Sequence, residues 1–242
     1  MQIARALVMA FAVAAFTMLI ASGPGTRLGL WPWQTAFSLL KWATYTGMAA
    51  GAAALILALL AAVPAWRAGA WVPILALAFA VAAAAPPLIL LQQAKVLPNI
   101  HDITTDTSDP PAFVALMPER MKAPNGAAYG GPAVAAEQQK GYPDIKPLAL
   151  KAPPREALQR AQDAARALGW EVIASDAESG RLEATVTTLW FGFKDDVVVR
   201  IRPEGSGSRV DIRSMSRVGS SDVGANAKRI REFLAKLASP TQ

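Results

Sequence analysis

Residues 71–91 read WVPILALAFAVAAAAPPLILL, a run with no charged side chain. A hydrocarbon core about 30 Å thick is crossed by roughly twenty apolar residues of helix, so this run is long enough to span a bilayer. Toward the amino terminus the pattern recurs at about Trp42–Val63 and, shorter, at about Ala6–Ala21. Trp31, Trp33, Trp42, Trp66 and Trp71 lie at or just outside the proposed ends. An amphipathic indole is favoured there by the headgroup layer. Residues 1–94 therefore read as a membrane region of about three transmembrane helices.

The punctuation of these spans sets further expectations. Pro73 falls in a first turn and is tolerated, whereas Pro86-Pro87 should kink or end the third helix. The first span follows a lone Arg5 and has two readings, a cleaved signal peptide ending near Ala21-Ser22-Gly23 or a retained helix; we expect the helix. Two more spans hold the chain in the membrane either way. The polar residues within the spans are chiefly Thr17, Thr44 and Thr46, with Gln92-Gln93 at the exit. Transport paths usually carry ionisable groups at membrane depth, so anchoring is expected in preference to transport.

Charge divides the chain at the same place. Residues 1–94 contain Arg5, Arg27, Lys41 and Arg67 and no acid, so of the overall charge of +6 only +2 belongs to the remainder. The sequence pI of about 9.8 thus comes largely from the absence of acids in the spans, and no nucleic-acid partner is expected. The chain has no cysteine, which excludes disulfides and thiolate chemistry. Three spans put the amino terminus and the later region on opposite sides of the membrane. Arg27, Lys41 and Lys95 on one side against Arg5 and Arg67 on the other favour a cytoplasmic domain by a single base.

Residues 95–153 form a Pro- and Gly-rich arm, with Asp109-Pro110-Pro111 extended and Tyr129-Gly130-Gly131-Pro132 as a flexible break. Ile100, Ile103, Phe113, Leu116 and Ile145 are too apolar for a free linker, so part of the arm should pack on the domain. In 154–242 the period changes. A helix over about 154–168 ends at Gly169, and Leu182, Ala184 and Val186 alternate with polar residues in a strand. Further strands follow at Trp170–Ser175, Asp196–Arg202 and Arg209–Met215, and a helix from about Asp222 to Ala238 closes the region. The prediction is an α+β fold: a four-stranded antiparallel sheet with two helices on one face, in a two-layer sandwich, and the other face solvated.

Several runs carry a family resemblance: Asn99-Ile100-His101-Asp102-Ile103-Thr104-Thr105-Asp106, Tyr142-Pro143-Asp144-Ile145, Gly180-Arg181-Leu182-Glu183-Ala184 and Phe193-Lys194-Asp195-Asp196-Val197. Asp211-Ile212-Arg213-Ser214, Ser216-Arg217-Val218-Gly219, Asp222, Asn226 and Arg229-Ile230 extend it. With these runs the chain resembles the bacterial and plastid family called domain of unknown function 1499. The resemblance implies an envelope protein with membrane segments and no established activity. It implies a bacterial inner-membrane location with a periplasmic domain, against the count of bases.

Candidate chemistry is sparse. His101, Asp102, Asp106 and Asp109 lack the spacing of a metal site, and Asp and Thr are common in turns and caps, so a structural role is expected and no cofactor. Arg181, Glu183, Asp196, Arg200, Arg202, Arg209, Asp211 and Arg213 should line the outward sheet face, either as a groove for an anionic ligand or, as expected, as cross-strand pairs. Arg217, Asp222, Asn226 and Arg229 gather where the last strand meets the last helix, with Asp222 expected to cap the helix and pair with Arg217. Trp190-Phe191-Gly192-Phe193 either caps the core, enters the bilayer surface or holds a partner. The expectation is a membrane-anchored binding or scaffold module whose partners are the lipid bilayer and an envelope protein or anionic small molecule. The alternative is an enzyme acting on an envelope or small anionic substrate, with Asp102 and Asp106 as acid and base.

Overall fold

A computed structural model describes residues 1–239. They divide into two compact units: Met1–Gln93 with Leu189–Gly192, and Ala94–Thr188 with the chain from Phe193 onward.

The first unit is built on three helices, α1 (Gln2–Arg27), α2 (Trp33–Leu60) and α3 (Trp71–Val96), each long and apolar enough to cross a membrane. All three exceed the predicted spans. Trp42 consequently lies inside α2 and not at its end, and neither Pro86 nor Pro87 ends α3. A helix this apolar keeps its internal hydrogen bonds because a lipid surrounding offers the backbone no other partner. Small side chains set the packing, with Ala12, Ala50, Ala54, Ala76 and Ala80 in one buried cluster. A Cβ on Gly47 would stand 3.0 Å from the Ala80 carbonyl oxygen, so glycine permits the close approach of α2 and α3. Arg5, read as flanking the first span, is buried within α1; its guanidinium donates to the carbonyls of Ala68 and Trp66 and ties down the α2–α3 connection.

The second unit is α+β. Its elements are β1 (Asp102–Thr104), α4 (Met117–Lys122), α5 (Gly131–Gly141), β2 (Leu148–Leu150), α6 (Pro154–Ala167), β3 (Glu171–Asp176), β4 (Arg181–Thr187), β5 (Lys194–Glu204), β6 (Gly207–Ser216) and α7 (Ala225–Ala238). The antiparallel sheet has six strands, not four, in the order β1-β6-β5-β4-β3 with β2 also on β6. β1 pairs with Arg213–Met215 and β2 with Ser208–Val210, so two pieces of the arm share one edge of β6. At three residues each they are too short for a period-2 pattern to show. The flexible break expected at Gly130-Gly131-Pro132 is the start of α5, with Pro132 in its first turn, where a missing N–H costs no helical bond.

Hydrophobic alternation decides which face carries the helices. Leu182, Ala184, Val197, Val199, Ile201, Val210 and Ile212 meet Leu158, Ala161 and Ala165 of α6 and Ile230, Phe233 and Leu237 of α7 in one core. Trp170 stacks on Phe233 with ring centroids 5.1 Å apart. Gly169, at φ +75, ends α6 as predicted, and Trp170 N–H returns to the Ala165 carbonyl.

The opposite face contradicts the expectation of a solvated surface. Phe113 and Leu116 of the arm pack on Val198 and Met215, and the charged residues among them are buried. The domain therefore has a third, partial layer. The arm can cover this face because each buried charge finds a partner there.

Candidate functional site

On the arm-covered face, strand alternation puts Glu183, Thr185, Asp196, Val198, Asp211, Arg213 and Met215 on one side of three adjacent strands. Glu183, with 0% exposure, accepts N–H groups from Val114 and Ala115 at one carboxylate oxygen (2.9 and 3.0 Å) and from Leu116 at the other (2.9 Å). It is also 3.2 Å from Arg181. A carboxylate on a strand thus fixes the turn that enters α4. Asp196 receives Arg217 through both oxygens (2.9 and 2.8 Å), the Thr185 hydroxyl at 2.8 Å and Arg120 at 3.3 Å.

Arg213 donates to both oxygens of Asp102 at 2.9 and 2.8 Å, and its guanidinium lies over the rings of Phe113 and Tyr129. This planar two-point pairing is the geometry that selects Arg over Lys. Burial, reinforced by the Asp102 charge, pushes the Tyr129 phenol up to about 12. Further along the face, Asp211 pairs with Arg200, Arg202 and Arg209, and Asp106 lies 3.0 Å from Arg209 and 3.5 Å from Arg200. Burial raises the Asp106 pKa, but the N–H groups of Asp109 and Ser108 together with Arg209 and Arg200 outweigh it and hold the carboxyl below its ordinary value.

On the helix side a second network ties α7 to the sheet. Asp195 pairs with Arg229 at 2.6 Å, and Asn226 accepts the Ser214 hydroxyl and donates to the His101 carbonyl and the Ser216 hydroxyl. The N-cap of α7 is Gly224 and not Asp222 as expected; Asp222, two residues earlier, accepts the N–H groups of Asn226 in the first turn (2.7 Å) and of Gly224 (2.9 Å). Its expected pairing with Arg217 is not formed; Arg217 lies on the other face with Asp196. Burial raises the Asp222 pKa, against the lowering effect of those two N–H bonds.

The predicted residues are thus split between faces. Asp102, Asp106, Arg181, Arg200, Arg213 and Arg217 belong to the arm-covered network, and Asp222 and Asn226 to the helix side. His101 stands apart, with Nδ1 3.4 Å from the Ser220 carbonyl oxygen. Trp190 and Phe191 group with the helices of the first unit, where the Trp190 indole N–H is 3.5 Å from the Ser22 hydroxyl and Phe191 stacks on Phe37. Phe193 closes the base of that loop: its carbonyl accepts the Thr188 N–H, and its own N–H donates to the Thr188 hydroxyl. Neither Trp190 nor Phe191 is among the residues of the sheet core.

Sequence reasoning missed Arg120 and undervalued Glu183, Asp195 and Asp196. The acids were visible as polar residues inside strand patterns. Arg120 carried no signal, because Met117-Pro118-Glu119-Arg120-Met121-Lys122 reads like an exposed turn.

A pocket of about 200 Å³ remains open at the margin of the arm-covered face. It is lined by Asp109, Pro110, Pro111, Ala112 and Val114 of the arm and by Ser179, Arg181, Val198 and Arg200 of the sheet. Its lining combines apolar side chains with charges of both signs. Among the described residues no group of three or more His, Cys, Asp or Glu side chains is placed to hold a metal ion.

No curated protein matches the chain in sequence. Among solved structures, the crystal structure of CalU16 from Micromonospora echinospora is similar over 39% of this chain and 74% of that one. The identity is 16% and the TM-score 0.28, too loose a likeness to carry a functional argument. In sequence, residues 102–237, more than half of the chain, match the family described as protein of unknown function (DUF1499), and the chain belongs to that family.

Proposed function

We propose that the protein is a membrane-anchored envelope module that binds a partner polypeptide, with its α+β domain on the periplasmic side of a bacterial inner membrane. The observation that carries this reading is the pairing state of the carboxylates. Asp102 is held by Arg213, Asp196 by Arg217 and Arg120, and Glu183 by three backbone N–H groups. An acid or base in catalysis must exchange a proton with substrate, and carboxylates held in this way are arranged for rigidity instead.

Recognition is assigned to the pocket beside Arg181 and Arg200. Val114, Val198 and two prolines supply apolar lining, while Arg181, Arg200, Asp109 and Ser179 supply donors and acceptors. That mixture suits one anchoring side chain of a polypeptide and its neighbouring backbone better than a lone phosphate, because acids already share both guanidinium groups. The three long apolar helices supply the anchor, and the resemblance to envelope proteins supports the periplasmic side.

Two measurements test the reading. A photo-crosslinking residue at Val114 or Ser179 in the full-length protein, irradiated in native membranes, should give a discrete protein adduct that is absent with the residue placed at Lys122. Adducts equal at all three positions refute the pocket. A carboxyl-terminal reporter active only outside the cytoplasm should be active; inactivity, with a cytoplasmic reporter working, refutes the orientation.

A further inference from the structure

A groove of about 370 Å³ lies between α1 and α2 in the first unit. Val8 and Phe11 of α1 line it, together with Trp42, Tyr45, Ala49 and Ala53 of α2. Those four α2 positions are three or four residues apart in turn, so they form one stripe along the helix. Phe11, Trp42 and Tyr45 are 57%, 59% and 54% exposed. At 1.5 Å per residue the stripe from Trp42 to Ala53 is about 16 Å long, roughly half of a hydrocarbon core about 30 Å thick.

Polarity along α2 gives the stripe a definite outer end. Gln34, Thr35, Ser38 and Lys41 precede Trp42, whereas Trp42–Val63 holds no charged side chain. Lys41 and Trp42 thus mark the headgroup boundary, where Trp is enriched and the flexible Lys stem lets the ammonium reach lipid phosphates. The exposed Lys41 ammonium lies 5.9 Å from the centroid of the Tyr45 ring, which itself lines the groove. Neither residues 1–94 nor Leu189–Gly192 contain an acid, so this unit offers Lys41 no carboxylate. An apolar groove alone does not select among lipids, because all tails are apolar alike; a cation beside its outer end does. A second helix fits the groove less well. With its side chains a helix is about 10–12 Å across and would have to displace the exposed rings of Phe11, Trp42 and Tyr45, whereas an extended acyl chain needs only a narrow channel.

We propose that this groove holds one acyl chain of a phospholipid with a net negative headgroup, whose phosphate is bound by Lys41. The chain lies along Trp42, Tyr45, Ala49 and Ala53 within one leaflet. The site belongs to the membrane unit alone and does not depend on the partner reading of the pocket at Arg181 and Arg200.

The test uses the full-length protein in nanodiscs of equal parts phosphatidylglycerol and phosphatidylcholine, with bromine on the acyl chains of one lipid or the other. Bromine quenches indole fluorescence on contact, and the part of the signal that Trp42→Phe removes reports on the groove. Brominated phosphatidylglycerol should occupy it about fivefold more often than brominated phosphatidylcholine, the preference that one lysine near the surface gives for anionic lipid. Lys41→Gln should bring the two lipids to parity. Ala49→Phe, a change at an exposed position that fills the stripe, should reduce Trp42 quenching by both. Equal quenching by the two lipids in the unmodified protein overturns the proposal, as does a preference retained in Lys41→Gln or quenching unchanged in Ala49→Phe. Quenching by neither lipid, together with a dimer that Ala49→Phe dissociates, overturns it in favour of a second copy of the chain.

Discussion

Glu183→Ala should release the arm from the sheet while leaving the helix-side core in place. Glu183 accepts three N–H groups, and hydrogen bonds to a charged acceptor contribute about 1.5–3 kcal/mol each. The simple sum overstates the loss. Val114 is 52% exposed, and Val114 and Ala115 share one carboxylate oxygen, so water can replace much of what those two donors lose. The Leu116 N–H, on a residue with 2% exposure, has no such substitute. Its loss, with the partial loss of the other two and of the Arg181 partner, gives about 3 kcal/mol. At 1.4 kcal/mol per tenfold change this is roughly a hundredfold faster exchange at Val114–Leu116. Hydrogen exchange followed by mass spectrometry on the full-length protein would measure it, with a peptide spanning Ile230–Leu237 as internal reference. Glu183→Gln should fall between the two, because one acceptor oxygen remains while its amide group opposes a donor. Unchanged exchange at 114–116 in Glu183→Ala would refute the claim that this carboxylate seats the arm.

Three further outcomes follow from the same networks. Arg213→Met should lower stability by about 3–5 kcal/mol, read from the denaturant midpoint, because Asp102 is left buried and uncompensated; Asp102→Leu added to it should recover part of that loss. The folded pKa of Asp222 lies above 3.8, so between that value and the folded one the folded chain binds more protons than the unfolded chain. Stability contributed by this group therefore falls as pH rises from about 4, and Asp222→Asn should flatten midpoint against pH over that window; parallel curves would contradict the assignment. Val223 adopts φ +50, a conformation that a β-branched residue resists, so Val223→Gly should raise the thermal midpoint by an amount corresponding to about 1 kcal/mol, and a lowered midpoint would show that its packing outweighs the strain.

How much of this was legible before folding depends on the range of the interaction. The acid-free run of residues 1–94 determined three long apolar helices, because length and composition alone decide whether a helix tolerates lipid. Alternation in Arg181–Thr187 and Arg209–Met215 likewise determined strands and their core-facing side, and Gly169 determined a helix end through its positive φ. β1, β2 and α5 were hidden: the two strands are three residues long and derive their structure from β6, not from a pattern of their own.

The candidate site was the less legible part. A charged residue alternating with apolar ones is read as solvent-facing, and Glu183, Asp196, Asp211 and Arg213 were read so. Only the tertiary structure decided that they are buried, because a charge can leave water when a distant segment brings its counter-charge or donors. Here Asp102 meets Arg213, and residues 114–116 meet Glu183, across 111 and about 67 to 69 positions of chain. Arg120 shows the limit most clearly: its local sequence describes a surface turn, and its burial exists only because Phe113 and Leu116 carry it onto Val198 and Met215.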